Sequence, residues 1–206
     1  MLLGYLPFDG AARTNLVLRM TNSGVNQANA QTVAIASDPK PATVSDYMEF
    51  AGTQIVRFSD RSDWHVVAPY SIEMEVYPVD TANRMIGTEG EGFASGWPEW
   101  AISQTGGALR FNTSWTNNAY DAGANFVNTY GLNQWYRLAL MFYLDGTQNR
   151  VRGYTNGIQV FDIPITQPLD TTQRLAIGGD AVARADRMFK GRIRNVTIGK
   201  SLFWTV

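Results

Sequence analysis

Three groups of side chains in this 206-residue sequence have types and spacings suited to chemistry. The first is Trp115-Thr116-Asn117-Asn118-Ala119-Tyr120-Asp121, preceded in the chain by Trp97-Pro98-Glu99-Trp100. A sugar ring offers a C–H face that packs on an aromatic plane, and hydroxyls that need amide and carboxylate partners. Aromatic residues beside Asn and Asp supply both. The pattern nominates Trp97, Trp115, Asn117, Asn118, Tyr120 and Asp121 as a carbohydrate-binding set on loops at one rim. Trp100 is expected to point into the core, and the alternative duty for Trp115 is to cover a sheet edge. The second group is Gly87-Thr88-Glu89-Gly90-Glu91-Gly92. It has no Lys, and its two acids would repel phosphate, so it is no phosphate loop. It reads as a flexible rim loop, or as oxygen ligation of Ca²⁺ by Glu89 and Glu91 with glycine-freed carbonyls. The third is Glu73-Met74-Glu75. On a strand these carboxyls share a face about 7 Å apart, whereas sugar hydrolysis needs about 5 Å for retention or 6.5–9.5 Å for inversion. They read as solvated or hydrogen-bonded strand residues, and no catalytic residue is assigned. Asp63-Trp64-His65 sets an acid near the single His, but no Gly-x-Ser-x-Gly elbow accompanies it.

Composition narrows the classes further. The absence of Cys excludes disulfide scaffolds, thiolate metal sites and cysteine nucleophiles. One His excludes His-rich metal centres. A net charge of −1 argues against nucleic acid as a partner. No apolar run approaches the length of a membrane span, and the opening Met1-Leu2-Leu3-Gly4-Tyr5 lacks the basic region of a secretion signal. Charge is unevenly placed. Residues 1–149 carry eight basic and fourteen acidic groups, whereas 150–206 carry nine basic and four acidic. The split predicts a basic sheet face with an acidic loop end, or complementary faces that pack copies of the chain together.

The elements that must position these groups are strands. Tyr70, Ile72, Met74 and Val76 alternate with Ser71, Glu73, Glu75 and Tyr77. Leu109 and Phe111 alternate with Arg110 and Asn112. The run 135–143 is apolar on both faces, which predicts a central strand covered twice. Strands at 150–154 and 158–161 flank Asn156-Gly157, the strongest short hairpin signal. A second tight turn is expected at Asp145-Gly146. Further strands are expected near 32–36, 47–50, 54–58, 83–88, 99–103, 125–129, 174–178, 188–198 and 201–205. In the last long strand the apolar phase slips between Ile193 and Val196, so a bulge is expected at Arg194-Asn195. No 12-residue window has helical periodicity, and only Ala181–Asp186 suggests a helical turn. There is no linker or composition break. The chain is predicted to be one all-β domain over 1–206, a two-sheet sandwich of 12–15 strands.

Six segments, in order, resemble laminin-G-like domains of the concanavalin A-like lectin/glucanase superfamily. Leu6-Pro7-Phe8-Asp9-Gly10 is similar to their opening strand and turn. Tyr70–Val76 is similar to "F-T-I-E-F-W-V", and Trp135-Tyr136-Arg137-Leu138-Ala139 to "W-H-H-V-A". Val151–Gly157 is similar to "V-K-L-Y-V-D-G", Leu175–Gly179 to "L-x-I-G-G", and Phe189–Ile198 to "F-x-G-x-I-D-E-V-R-I". The resemblance implies a jelly roll of two curved antiparallel sheets that binds glycans or proteins, often with one Ca²⁺ at the loop edge. Glucanases of this fold carry E-x-D-x-x-E on a strand. Here position 78 is Pro78. The usual D-S-S-G after the opening turn is missing, and Asn195 replaces an acid in the final strand, so no calcium requirement is carried over. Stand-alone, cysteine-free versions resemble components of tailed phages. The expected function is therefore a non-enzymatic virion protein, a capsid decoration or tail-fibre component, that grips host-surface polysaccharide. Its partners are then copies of itself and other virion proteins, and it is made in the bacterial cytoplasm. The apolar residues Leu2, Leu3, Phe203 and Trp204 are expected to need cover in such an assembly. A free-standing lectin module is the alternative, and a glycoside hydrolase the third reading.

Overall fold

A computed structural model describes residues 16–21, 24–26, 42–44, 47–58, 68–89, 100–116, 119–166, 174–180 and 183–199, with backbone alone for 16–21, 24–26, 42–44, 114–116 and 119–121. Fifteen strands lie among them: β1 Leu16–Thr21, β2 Gly24–Asn26, β3 Ala42–Val44, β4 Tyr47–Ala51, β5 Val56–Arg57, β6 Tyr70–Pro78, β7 Arg84–Glu89, β8 Trp100–Thr105, β9 Ala108–Thr116, β10 Ala119–Val127, β11 Tyr136–Asp145, β12 Gln148–Thr155, β13 Ile158–Ile165, β14 Leu175–Ile177 and β15 Lys190–Gly199. A 3₁₀ turn at Ala185–Arg187 is the helical structure among the described residues.

The strands form two antiparallel sheets. One runs β13-β12-β11-β6-β15-β1-β2, with β4 on the first half of β15 and β3 on β4. The other runs β10-β9-β8-β7-β14-β5. The alternation read in the sequence sets their inner faces. Tyr70, Ile72, Met74 and Val76 of β6, and Leu138, Leu140 and Phe142 of β11, are buried against Trp100, Ile102, Leu109, Phe111, Leu175 and Ile177 of the opposite sheet. β11 lies between β6 and β12 and is buried on both faces, since Ala139 and Met141 are buried as well. Aromatic contacts tie the two sheets at one edge. Phe111 of β9 meets Phe142 of β11 edge-on at 6.0 Å and stacks on Phe161 of β13 at 5.7 Å. Phe161 also meets Phe126 of β10 at 5.2 Å. Gly153 leaves room for that ring, because a Cβ there would lie 2.0 Å from Phe161.

Local backbone chemistry explains the turns. Asn156 and Gly157 have φ of 51° and 82°, so both central residues of the β12–β13 hairpin take the left-handed region that this turn needs. The register shift in β15 between Arg194 and Thr197 is the bulge read from the phase slip, with Asn195 at φ 53°. It restores Val196 and Ile198 to the core. The β11–β12 turn sits one residue later than expected. Asp145 pairs with Gln148, so Gly146 and Thr147 make the turn.

Three short strands were not legible: β1, β2 and β3. The expected strands at 32–36 and 201–205, and the apolar ends Leu2, Leu3, Phe203 and Trp204, lie outside the described residues. The charge split is used within the chain. Arg192 and Arg194 of the basic segment reach Glu49 and Glu75 of the acidic one, at 3.4 and 2.8 Å.

Candidate functional site

The residues nominated for carbohydrate fall mostly on one hairpin. β9 and β10 pair from Ala119↔Thr116 through Tyr120↔Trp115 to Val127↔Leu109. Trp115 and Tyr120 are thus directly opposite each other near the hairpin end, and Asp121 follows on β10. This segment is strand where a loop was expected. Asn117 and Asn118, between the two strands, lie outside the described residues, as do Trp97 and Glu91.

The hairpin is the edge of the six-stranded sheet, and the strand register builds a row across its outer face. Ala176, Thr88, Ala101, Asn112 and Gly123 stand opposite one another on successive strands from β14 to β10. The neighbouring row holds Ser103, Arg110 and Asn125. Thr88, Ala101 and Ser103 are buried, and Asn112 is 3% exposed, while Gly123 and Asn125 are exposed at the edge. Thr88 Oγ1, Asn112 Oδ1 and Arg110 Nε are all buried without a hydrogen-bond partner. Buried polar atoms are nearly always paired in folded proteins. Thr88 is fully buried, whereas Arg110 is partly exposed beside the open edge, where an unfilled donor and acceptor are what a polar ligand would complete. Sequence reading placed Arg110 and Asn112 as outward strand residues and saw no more. A missing partner has no signature in one sequence.

The outer face of the nine-stranded sheet has a different character, because its arginines are paired with carboxylates. Arg137 Nε donates to Glu73 Oε1. Arg194 Nε donates to Glu75 Oε2 at 2.8 Å, and Asn195 Nδ2 to Glu75 Oε1 at 2.9 Å. Arg192 lies over the rings of Tyr47 and Tyr77 at 4.7 and 4.8 Å, and Arg194 over Trp135 at 4.2 Å. Arg150, Arg152 and Tyr143 all donate to the Asp162 carboxylate at 2.8–2.9 Å. Burial pushes the Glu73 carboxyl above its ordinary value, and the Arg137 hydrogen bond only partly opposes it. For Asp162 burial also acts upward, but hydrogen bonds from Arg152, Tyr143 and Arg150 outweigh it and hold the carboxyl below its ordinary value. Glu73 and Glu75 are therefore hydrogen-bonded strand residues, each held by its own arginine.

Of the expected calcium pair, the structure describes Glu89 alone. Glu89 is no rim-loop residue. It ends β7, is fully buried, and its Oε2 accepts the Trp100 indole N–H at 3.1 Å. Among the described residues no group of three or more His, Cys, Asp or Glu could hold a metal ion.

Residues 50–202 match the model of a family described as the Concanavalin A-like lectin/glucanases superfamily. No curated protein matches the sequence. Among solved structures, the chain is similar to the receptor-binding domain of botulinum neurotoxin mosaic serotype C/D, with TM-score 0.69 and 10% identity, covering 92% of this chain and 48% of that one. It is also similar to the binding domain of botulinum neurotoxin DC, solved in complex with rat synaptotagmin II, with TM-score 0.64 and 12% identity over 92% and 49%. The chain spans about half the length of these toxin domains. Domain 4 of AbnA, a GH43 extracellular arabinanase from Geobacillus stearothermophilus, was solved in complex with arabinotriose. It is similar with TM-score 0.60 and 16% identity, over 91% of this chain and 93% of that one.

Proposed function

The chain belongs to the Concanavalin A-like lectin/glucanases superfamily, and we propose that it is a non-catalytic, lectin-like module that binds surface polysaccharide through the β9–β10 edge of its six-stranded sheet. The observation that carries this reading is the pair of unfilled hydrogen-bonding atoms, Asn112 Oδ1 and Arg110 Nε, on β9 of the β9–β10 hairpin, whose far end pairs Trp115 with Tyr120. Sugar recognition combines amide and guanidinium partners for hydroxyls with aromatic planes for the ring. A similar domain of matching size was solved holding arabinotriose. Glu73 and Glu75, whose carboxylates are held by arginines, support the non-catalytic reading. The module's place is the surface of a phage particle, as a capsid decoration or tail-fibre component, in line with its resemblance to stand-alone phage domains. Many copies there would raise weak contacts to avidity of about 10²–10⁴ over a single site.

A glycan array probed with multivalent protein tests the binding reading. Trp115→Ala and Tyr120→Ala should weaken binding while leaving the thermal melt cooperative. No signal on any glycan at multivalent display would overturn it. Mass spectrometry of purified particles tests the location: many copies per particle are expected, and absence from particles refutes a virion role.

A further inference from the structure

Arg110 differs from the arginines of the other sheet. Arg137, Arg150, Arg152, Arg192 and Arg194 each pair with a carboxylate. Arg110 has no ion pair among the described residues, and its Nε is buried with no acceptor. Two positions along β9, Asn112 is also buried with Oδ1 unpartnered. The two side chains converge on one point. A Cβ placed on Gly123 would lie 2.9 Å from Asn112 Oδ1 and 3.2 Å from Arg110 Nη2. Gly123 is exposed on the edge strand β10, and Arg110 beside it is partly exposed. A guanidinium without a counter-charge and an amide oxygen without a donor therefore pack side by side over a residue whose missing side chain leaves them room.

We propose, resting on the carbohydrate-binding reading above, that Arg110, Asn112 and Gly123 form a subsite for the carboxylate and neighbouring hydroxyl of an acidic saccharide, a uronic or sialic acid. Arg110 donates to the carboxylate, whose planar geometry matches the guanidinium fork. The adjacent sugar hydroxyl donates to Asn112 Oδ1. A neutral sugar answers Asn112 but leaves Arg110 without a counter-charge, so the site favours the acid. Gly123 acts by absence, since any side chain there would occupy the meeting point of the two groups.

Calorimetric titration of the full chain tests this with five probes: trigalacturonate, its carboxyl-reduced form, 3′-sialyllactose, lactose and arabinotriose. At least one acid should bind about tenfold or more tightly than its neutral counterpart, the scale of one charge-assisted hydrogen bond. In the wild type that preference should shrink as salt rises. Arg110→Gln should abolish it, Arg110→Lys should keep part of it, and Gly123→Ala should weaken both acid and neutral binding. Lys190→Gln, at an exposed lysine of β15 on the other sheet, should change nothing. Thermal melts check that each variant is folded. Equal affinity for acid and neutral forms, or an acid preference that survives Arg110→Gln or is indifferent to salt, overturns the subsite and leaves the carbohydrate reading intact. Binding of arabinotriose with no binding of either acid has the same meaning. Failure of every saccharide removes the carbohydrate reading, and the subsite with it.

Discussion

The indole N–H of Trp100 donates to the carboxylate of Glu89 at 3.1 Å inside the core, where both residues are fully buried. They stand directly opposite each other on β8 and β7, so the contact is a cross-strand pair turned inward. A buried indole needs an acceptor, and the carboxylate supplies it where a metal-ligand role was expected. Glu89→Ala leaves the Trp100 donor unsatisfied and opens a cavity, and should cost about 2–4 kcal/mol. Glu89→Gln keeps an acceptor and should cost less. Urea melts distinguish the two. Calcium should shift the melting temperature of wild type and Glu89→Gln equally, and a shift lost only in the variant would return Glu89 to metal ligation.

Asn195 governs the phase of β15. Its φ of 53° lies in the left-handed region, and its Nδ2 donates to Glu75 Oε1. Asn195→Gly keeps the backbone conformation and should cost little. Asn195→Val puts a β-branched residue where it is strained, and should cost about 1–3 kcal/mol. Equal urea midpoints for the two variants would show that the bulge does not depend on this residue.

Much of the fold was written in the sequence because burial alternates with period two. Tyr70, Ile72, Met74 and Val76 could be placed inward without any structure, and the slip between Ile193 and Val196 named its own bulge. β1 was not legible, because Leu16-Val17-Leu18 is apolar without alternation and its partner, β15, lies far along the chain. The β9–β10 hairpin was missed for a local reason: the Thr, Asn and Asp of the segment from Trp115 to Asp121 favour loops, so the strand ends on either side were read as loop. For the site, residue type pointed to the hairpin through Trp115 and Tyr120. It did not point to Arg110 or Asn112. Arg110 and Arg152 look alike as outward strand arginines, and only the positions of their neighbours show that one meets a carboxylate and the other does not.

Asp162 gathers three donors, from Arg150, Arg152 and Tyr143. Its carboxyl is held below the ordinary value of 3.8, so the folded state releases its proton more readily than the unfolded chain. The stabilisation is fully present above that value and is lost as pH falls through the folded one. Asp162→Asn should therefore lower stability near neutral pH by about 1–3 kcal/mol. The gap to wild type should close on acidification below pH 3.8. A gap independent of pH would mean that packing, not charge, is what the substitution removes.

Glu73 has the opposite sign. Burial raises its carboxyl above the ordinary 4.5, and its Oε2 is buried without a partner, so ionisation is harder in the folded state than in the unfolded one. The folded state then binds more protons across the window from 4.5 up to the folded value. Stability from this group is highest below that window, falls as pH rises through it, and stays reduced above it. Glu73→Gln keeps an acceptor for Arg137 and removes the ionisation, so its stability should gain on wild type as pH rises through the window. A variant that instead loses ground with rising pH would show that the ion pair with Arg137 outweighs burial. The same variant tests chemistry. A raised carboxyl can serve as a general acid, but here it is tied to Arg137 and Pro78 stands where the glucanase array has its third carboxylate. Wild type should show no turnover on a panel of β-glucans and bacterial polysaccharides. Turnover that Glu73→Gln abolishes in a still-folded protein would make this carboxyl catalytic.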